Sequence, residues 1–169
     1  MRGRMNPFTF EELQKILELK ATELVTDELI FNATLTLVEN ILGFELKDKN
    51  YNELQTVLDN KVFTKQDNIT EMVNIIDMNT KQKVPNCVIN GRTIFFISPE
   101  YEGHVVFLNY NAGFTSDTLP ADLKEALIKI FLIKKSDFYK KINYETSDSE
   151  ITIPRDIQNI LDIYKRKSL

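Results

Sequence analysis

The stretch that decides the fold runs from Val105 to Ala126 and reads VVFLNYNAGFTSDTLPADLKEA. Its first part is rich in β-branched and aromatic residues, which suit a strand. Gly113 permits a tight reversal of the chain because glycine tolerates positive φ. Pro120 stands near the first position of a helix, where its missing amide donor costs nothing, and Asp122 lies in the positively polarised first turn. The stretch therefore predicts a strand, a turn and a helix in succession.

Two helices are predicted on the C-terminal side of this turn. The first spans about 119–142, and its apolar stripe consists of Leu123, Ala126, Leu127, Ile130, Phe131 and Phe138. A polar loop over 144–150 follows. Pro154 then opens a helix over about 153–166, whose apolar residues are Ile157, Ile160, Leu161 and Tyr164.

The N-terminal region predicts two more helices over about 9–42. Thr9 and Glu12 have the spacing of a capping box, so the first helix is expected to begin there. The second is expected to begin at Thr26 or Asp27, either of which can accept the orphan amides, and to end at Gly43.

The spacing of the hydrophobic residues changes in the middle of the chain. Residues 50–58 have weak helical spacing and predict a short helix, followed by a loop over 64–68. Between about 69 and 111 the β-compatible runs indicate a β-containing insertion, with a hairpin at Asn90-Gly91, the strongest short hairpin signal. The predicted fold is α+β and mainly α: a helical bundle with a small antiparallel β-meander inserted between the N-terminal and C-terminal helices.

Composition limits the function classes. With 169 residues and 43% hydrophobic residues, the chain is expected to form a single domain over 1–169. No apolar run approaches the roughly 20 residues of a membrane-spanning helix, and no signal-peptide core is expected at the N-terminus. A formal net charge of -4 gives no general attraction for nucleic acid. The single cysteine excludes an internal disulfide and fits a reducing compartment.

The residues that carry most enzyme chemistry are sparse. His104 is the only histidine and Cys87 the only cysteine, so neither a multi-histidine metal site nor a well-supported nucleophile is indicated. The carboxylates fall at helix starts or in a loop, and the five glycines are scattered, so no phosphate-binding loop can be drawn. Lysine pairs at 134–135 and 140–141, and the basic residues 165–167, are interpreted mainly as solvated helix surface. We expect no catalytic residue, no cofactor and no metal.

The opening stretch resembles a segment of the head-tail connector (adaptor) proteins of tailed bacteriophages. In that family a strand ends in a Tyr-x-Ala-Gly-aromatic turn, here Tyr110 to Phe114, and Pro-x-Asp-Leu-Lys-x-Ala opens a long helix, here from Pro120. An N-terminal pair of helices and a closing segment from Ile153 to Arg166 agree with the family. The motif residues Tyr110, Gly113, Phe114, Pro120 and Asp122 are structural in this interpretation.

The resemblance implies a structural subunit of the virion neck, assembled in the host cytoplasm. Such subunits form a homo-oligomeric ring beneath the portal protein, extend the DNA channel without sequence-specific binding, and bind a further connector, stopper or tail-completion protein. By analogy, the portal interface would comprise Ile157, Leu161, Tyr164 and Arg166, and the loop over 64–68 or the β-insertion would face a neighbour or the next ring. Packing of the last helix on its own core is the alternative.

Two other functions remain open from the sequence. One is a monomeric or dimeric regulatory or scaffold-binding module of a phage or prophage. The other is a small metal-dependent hydrolase or nuclease, which would require carboxylates that converge in one pocket.

Overall fold

The computed structural model describes residues 6–20, 23–144 and 152–165. Within these residues the chain forms four α-helices and six β-strands, which confirms a mixed α+β fold. The helices are α1 (Phe10–Leu17), α2 (Leu24–Leu42), α3 (Ala121–Tyr144) and α4 (Arg155–Tyr164). The strands are β1 (Lys49–Thr56), β2 (Lys61–Phe63), β3 (Ile69–Asp77), β4 (Cys87–Asn90), β5 (Thr93–Phe96) and β6 (Val105–Ala112).

The chain divides into two compact units. The β unit contains Phe44–Thr115, and the helical unit contains Pro7–Gly43 and Ser116–Leu169. The expectation of a single domain concerns how these units fold together, and it stays a prediction.

Local capping signals position the first helix as expected. The Glu12 amide donates to the Thr9 hydroxyl at 3.2 Å, and the Thr9 amide donates to the Glu12 carboxylate at 3.0 Å. This reciprocal pair is the predicted capping box, so two orphan amides are satisfied. Phe8, just before the cap, is fully buried, and its ring meets that of Phe31 edge-on at 5.6 Å.

The second helix begins earlier than predicted. It starts at Leu24, with Glu23 as the N-cap, so neither Thr26 nor Asp27 caps it. Asp27 is instead fully buried and accepts a hydrogen bond from Lys135 at 2.7 Å. A tertiary ion pair therefore outweighs the local capping preference of this residue. Gly43 ends the helix with a φ of 79°, as expected.

Three helices share the core of the helical unit. α2, α3 and α4 pack on one another, and the fully buried side chains include Phe31, Leu123, Leu127, Phe131 and Leu161. Phe138 was predicted in the buried stripe of α3, but 38% of its surface is exposed. Phe138 instead lines an open groove together with Ile30 and Ala33 of α2, so it is only partly covered.

The β unit contains two three-stranded antiparallel sheets, with strand orders β1-β6-β3 and β2-β5-β4. The inner faces of both sheets contribute to one hydrophobic core, to which β6 supplies Val106, Leu108, Tyr110 and Ala112 at alternate positions. The expected meander is not formed, because β6 pairs with β1 and β3 while β4 and β5 belong to the other sheet. The pairing of strands that are far apart in sequence cannot be identified from the residues of either strand alone.

The predicted helix over residues 50–58 is wrong, because this segment is β1. Its residues pair with β6 in continuous register from Lys49↔Ala112 to Thr56↔Val105. The helical spacing came from Tyr51, Leu54, Val57 and Leu58. Of these, Leu54 and Leu58 are 60% and 62% exposed, whereas Val57 is fully buried, so the four do not share one buried face. A strand with an inward-facing carboxylate, Glu53, lacks the apolar alternation that would have identified it.

The hairpin near Asn90 is confirmed with a one-residue shift of its loop. Asn90 pairs with Thr93, so Gly91 and Arg92 form the two-residue turn between β4 and β5. Gly91 has a φ of 59°, as required of the first loop residue in a type II′ turn.

Candidate assembly surfaces

The predicted portal residues of α4 face inward. Ile157 and Leu161 are 2% and 0% exposed and belong to the core of the helical unit. Tyr164 is half-buried, and Arg166 lies outside the described residues. The structure thus brings Ile157, Leu161 and Tyr164 to one side of α4, where they attach the helix to its own unit.

Tyr164 is held by a residue of the turn motif. Its phenol donates to the two carboxylate oxygens of Asp122, at 2.7 and 3.0 Å. Burial and this hydrogen bond raise the pKa of Tyr164 to about 12. Asp122 was predicted from its place in the first turn of α3, and sequence spacing gave no signal that it also anchors α4.

The other motif residues make contacts within the chain, and their purely structural role stays a prediction. Gly113 has a φ of 118°, and a Cβ atom there would collide with the backbone carbonyl of Lys47. Phe114 is buried against Phe44, with ring centroids 6.4 Å apart. Pro120 directly precedes α3, and its carbonyl accepts from the Lys124 amide at 3.0 Å.

Tyr110 and Glu53 attach the segment after β2 to the first sheet. The Tyr110 phenol, which is fully buried, donates to the Glu53 carboxylate. The same carboxylate oxygen accepts from the Lys65 amide at 2.9 Å. Burial and the contact with Glu53 raise the pKa of Tyr110 above its ordinary range. Residues 64–68, predicted as a loop, are therefore fixed by internal contacts, and their use by a neighbouring protein stays a prediction.

His104, the single histidine, contacts a buried carboxylate. Its Nδ1 atom lies 3.1 Å from Oδ2 of Asp77, which is 1% exposed and also accepts from Thr80 at 2.7 Å. Burial disfavours the charged form of Asp77, but the bonds from Thr80, the Asn79 amide and His104 outweigh it and lower the pKa. The pair borders a cavity of about 180 Å³ that also contains Tyr101. Among the described residues, no group of three or more His, Cys, Asp or Glu side chains is placed to hold a metal ion.

Cys87 lies at the start of β4 and is partly exposed. Burial raises the pKa of its thiol, which lowers the thiolate fraction at neutral pH and therefore its reactivity. The sequence likewise indicated no well-supported nucleophile at Cys87.

Lys134 and Lys135 of α3 both donate hydrogen bonds to other residues of the helical unit, so they are not fully solvated. Lys135 donates to Asp27 at 2.7 Å and to Glu23 at 3.0 Å. Lys134 donates to the Ala33 carbonyl at 3.1 Å, and burial lowers its pKa. Because the two ammonium groups make these contacts, we do not expect Lys134 and Lys135 to bind phosphates.

An apolar groove lies between α2 and α3. Its volume is about 240 Å³, and it is lined by Ile30, Ala33, Lys134, Asp137, Phe138 and Lys141. Lys141 bridges to Asp137 at 3.1 Å. We call this surface the α2–α3 groove. Sequence reasoning missed it because Phe138 had been assigned to the core.

A second surface lies on the outer side of α4. Asp156, Asn159 and Ile163 recur at three- and four-residue spacing and are exposed, away from the buried Ile157 and Leu161, while Ile160 is half-buried at the edge of this surface. Ile163 is 71% exposed. We call this surface the α4 outer stripe. None of the helices in the three described segments is both long and apolar enough to cross a membrane.

Comparisons with known proteins find a similar fold in solved structures of gene transfer agent (GTA) particles. No protein-family model and no curated protein matches the sequence. A chain from the neck of an empty GTA particle, computed with C6 symmetry, has a TM-score of 0.65 and 12% identity over 96% of this chain and 91% of that chain. A chain from the neck of the native particle, computed with C12 symmetry, has a TM-score of 0.59 and 15% identity, covering 94% and 88%. A chain from the virion of the native gene transfer agent particle has a TM-score of 0.56 and 15% identity, covering 90% and 82%. Over nearly its whole length, the chain has the fold of these neck and virion chains.

Proposed function

We propose that this protein is a non-enzymatic structural subunit of the neck of a tailed phage or related particle, where it forms a ring beneath the portal and joins head to tail. The observation that carries the proposal is the fold shared with a neck chain over 96% of the sequence. The connector-type motif from Tyr110 to Asp122 supports it independently, since that motif was identified from sequence.

The symmetry of the related neck structures supports a ring. Those structures were computed with C6 and C12 symmetry, and both symmetries describe closed cyclic assemblies. A ring of this kind would surround the DNA channel and bind a connector, stopper or tail-completion protein on its other side. The net charge is -4, and Lys134 and Lys135 are engaged in contacts within their own unit. Both features favour a channel that does not bind DNA tightly as it passes.

The proposed portal interface comprises Ile157, Leu161 and Tyr164 of α4, together with Arg166. Because Ile157 and Leu161 are buried, they would reach a portal only if α4 separates from its unit. Tyr164 and Arg166 would make the first contact. We expect Arg166→Glu to weaken portal binding, measured by pull-down, while the matched change Lys140→Glu on exposed α3 surface leaves it unaltered.

A monomeric or dimeric regulatory module is the second candidate. The observation in its favour is that Ile157 and Leu161 of α4 are buried in their own unit, as expected of a self-contained protein.

The mass of the purified protein, alone and with a portal protein, separates these functions. Light scattering should find a particle of six or twelve times the 19.7 kDa subunit mass, or a monomer that assembles only on the portal. A monomer or dimer that does not bind the portal protein would overturn the connector function and favour the regulatory module.

A further inference from the structure

We propose that Asn90 is a site of spontaneous covalent modification, where the side-chain amide is lost and an aspartate or an isoaspartate forms. The inference goes beyond the proposed function, because it concerns a reaction within the chain that needs water as its only co-reactant. Asn90-Gly91 is the single Asn-Gly pair in the sequence. In this reaction the backbone nitrogen that follows an asparagine attacks its side chain, and glycine hinders the attack least because it has no Cβ atom.

The hairpin leaves both reacting groups open. The side chain of Asn90 is exposed and makes no hydrogen bond with any of the described residues. Asn90 pairs with Thr93 to close the hairpin, and the Gly91 nitrogen, inside the turn, donates to no backbone carbonyl of the described segments. A Cβ atom at Gly91 would meet no described atom within 4 Å, so the space around the attacking nitrogen is unobstructed.

The reaction balances without an oxidant or an enzyme. The Gly91 nitrogen gives its proton to a solvent base and bonds to Cγ of Asn90. The bond from Cγ to Nδ2 then breaks, and Nδ2 takes up a proton and leaves as ammonia. Water opens the resulting cyclic succinimide in one of two ways. Cleavage between the nitrogen and Cγ gives aspartate, and cleavage between the nitrogen and the main-chain carbonyl carbon gives isoaspartate.

Other asparagines of the β unit are expected to react more slowly. The side-chain amide of Asn50 donates to Asn109 at 2.9 Å, which holds it away from its own backbone. Asn86 is exposed and has a positive φ, but the next residue is Cys87, whose side chain hinders the attacking nitrogen. Asn86 therefore provides an internal comparison for Asn90, on the same protein and at the other end of β4.

The modification would weaken the end of the hairpin. Isoaspartate directs the main chain through the side-chain carbon and so lengthens the backbone, and the pair between Asn90 and Thr93 would lose its register. Both products also place a carboxylate on the same face of the strand as Val88, which is 53% exposed. Because the loss of ammonia is irreversible in solution, the modified fraction would increase with the age of the protein.

Incubation of the folded, full-length protein in heavy-oxygen water at neutral pH tests the proposal. Peptide mapping by mass spectrometry should find heavy oxygen at residue 90 first, and several-fold faster there than at Asn86. Fragmentation that distinguishes the two products should find isoaspartate at residue 90. Label that is incorporated from the solvent also excludes conversion during sample preparation.

Two variants separate this chemistry from general instability of the hairpin. Asn90→Gln keeps an amide but requires a larger ring, so residue 90 should remain unlabelled. Gly91→Asn keeps a residue that tolerates the φ of 59°, and its side chain should slow conversion of Asn90 several-fold. The proposal is overturned if Asn90 stays intact in wild type, if Asn86 converts as fast, or if Gly91→Asn leaves the rate at Asn90 unchanged.

Discussion

The phenol of Tyr164 lies 2.7 Å from the Asp122 carboxylate and joins the last turn of α4 to the first turn of α3. The two residues are 42 positions apart in sequence. Asp122 belongs to the motif that ends the turn after β6, so one carboxylate serves both the start of α3 and the placement of the candidate assembly helix.

Removing this hydrogen bond should loosen α4. Tyr164→Phe is expected to lower the free energy of unfolding by about 1 kcal/mol, since the bond has a charged acceptor but is only partly buried. Urea titration measures the loss. A double-mutant cycle with Asp122→Asn should show coupling between the two sites, and fully additive losses would contradict the assigned bond.

The same pair predicts a loss of stability at alkaline pH. The pKa of Tyr164 is raised to about 12 in the folded state, from the ordinary value of 10.0. The folded chain therefore holds the phenolic proton more tightly, and the resulting stability is present below pH 10 and declines as pH rises towards 12. The difference in unfolding free energy between wild type and Tyr164→Phe should shrink over this range. A constant difference would show that Tyr164 titrates normally.

Lys135 should be essential to the helical unit because Asp27 is fully buried beside it. Lys135→Met leaves that carboxylate without its cationic partner, and a loss of about 3 kcal/mol is expected. The double variant Asp27→Asn with Lys135→Met should recover part of the loss. Lys140→Met, on the exposed face of α3, should change stability by no more than about 0.5 kcal/mol. Equal effects of the two lysine changes would refute a structural role for the buried pair.

The parts of the fold that could be predicted depend on local chemistry. The Thr9 capping box, the helix starts after Pro120 and Pro154, and the tight reversal at Gly113 are each decided by neighbouring residues. The sequence resemblance was likewise carried by a continuous segment, and the fold found in neck chains agrees with it. The start of α2 could not be predicted, because Asp27 is used by Lys135, 108 positions away.

The misassigned parts depend on pairing between distant segments. β1 forms a strand because it pairs with one edge of β6, whose other edge pairs with β3. Glu53 faces inward because its carboxylate accepts a hydrogen bond from the Tyr110 phenol. Neither relationship is visible within residues 50–58. The α2–α3 groove was missed for a similar reason, since the exposure of Phe138 depends on its packing beside Ile30 and Ala33 of α2, about 100 positions away in sequence.

Gly113 should tolerate substitution far less than a second glycine with a similar backbone. Both Gly113 and Gly103 have positive φ, but a Cβ at Gly113 would collide with Lys47, while none of the described atoms lies within 4 Å of a Cβ at Gly103. Gly103→Ala should cost about 1 kcal/mol from backbone strain alone. Gly113→Ala should cost clearly more, by urea titration. Equal losses of stability in the two variants would show that the backbone around Lys47 shifts to accommodate the new Cβ atom at no energetic cost.

Asp77 should make the β unit sensitive to acid. Its pKa is lowered from 3.8, so the folded chain favours the charged form, and the stability gained is present above pH 3.8 and lost as pH falls below it. At neutral pH, Asp77→Asn should destabilise the protein by about 1 to 2 kcal/mol, because the bonds from Thr80 and the Asn79 amide lose a charged acceptor. As pH falls through this range, the difference between wild type and variant should narrow in urea titrations. Asp59→Asn, where the carboxylate is 88% exposed, should leave the same pH profile as wild type. A wild-type profile that matches Asp77→Asn throughout would mean that the buried carboxylate contributes no acid sensitivity.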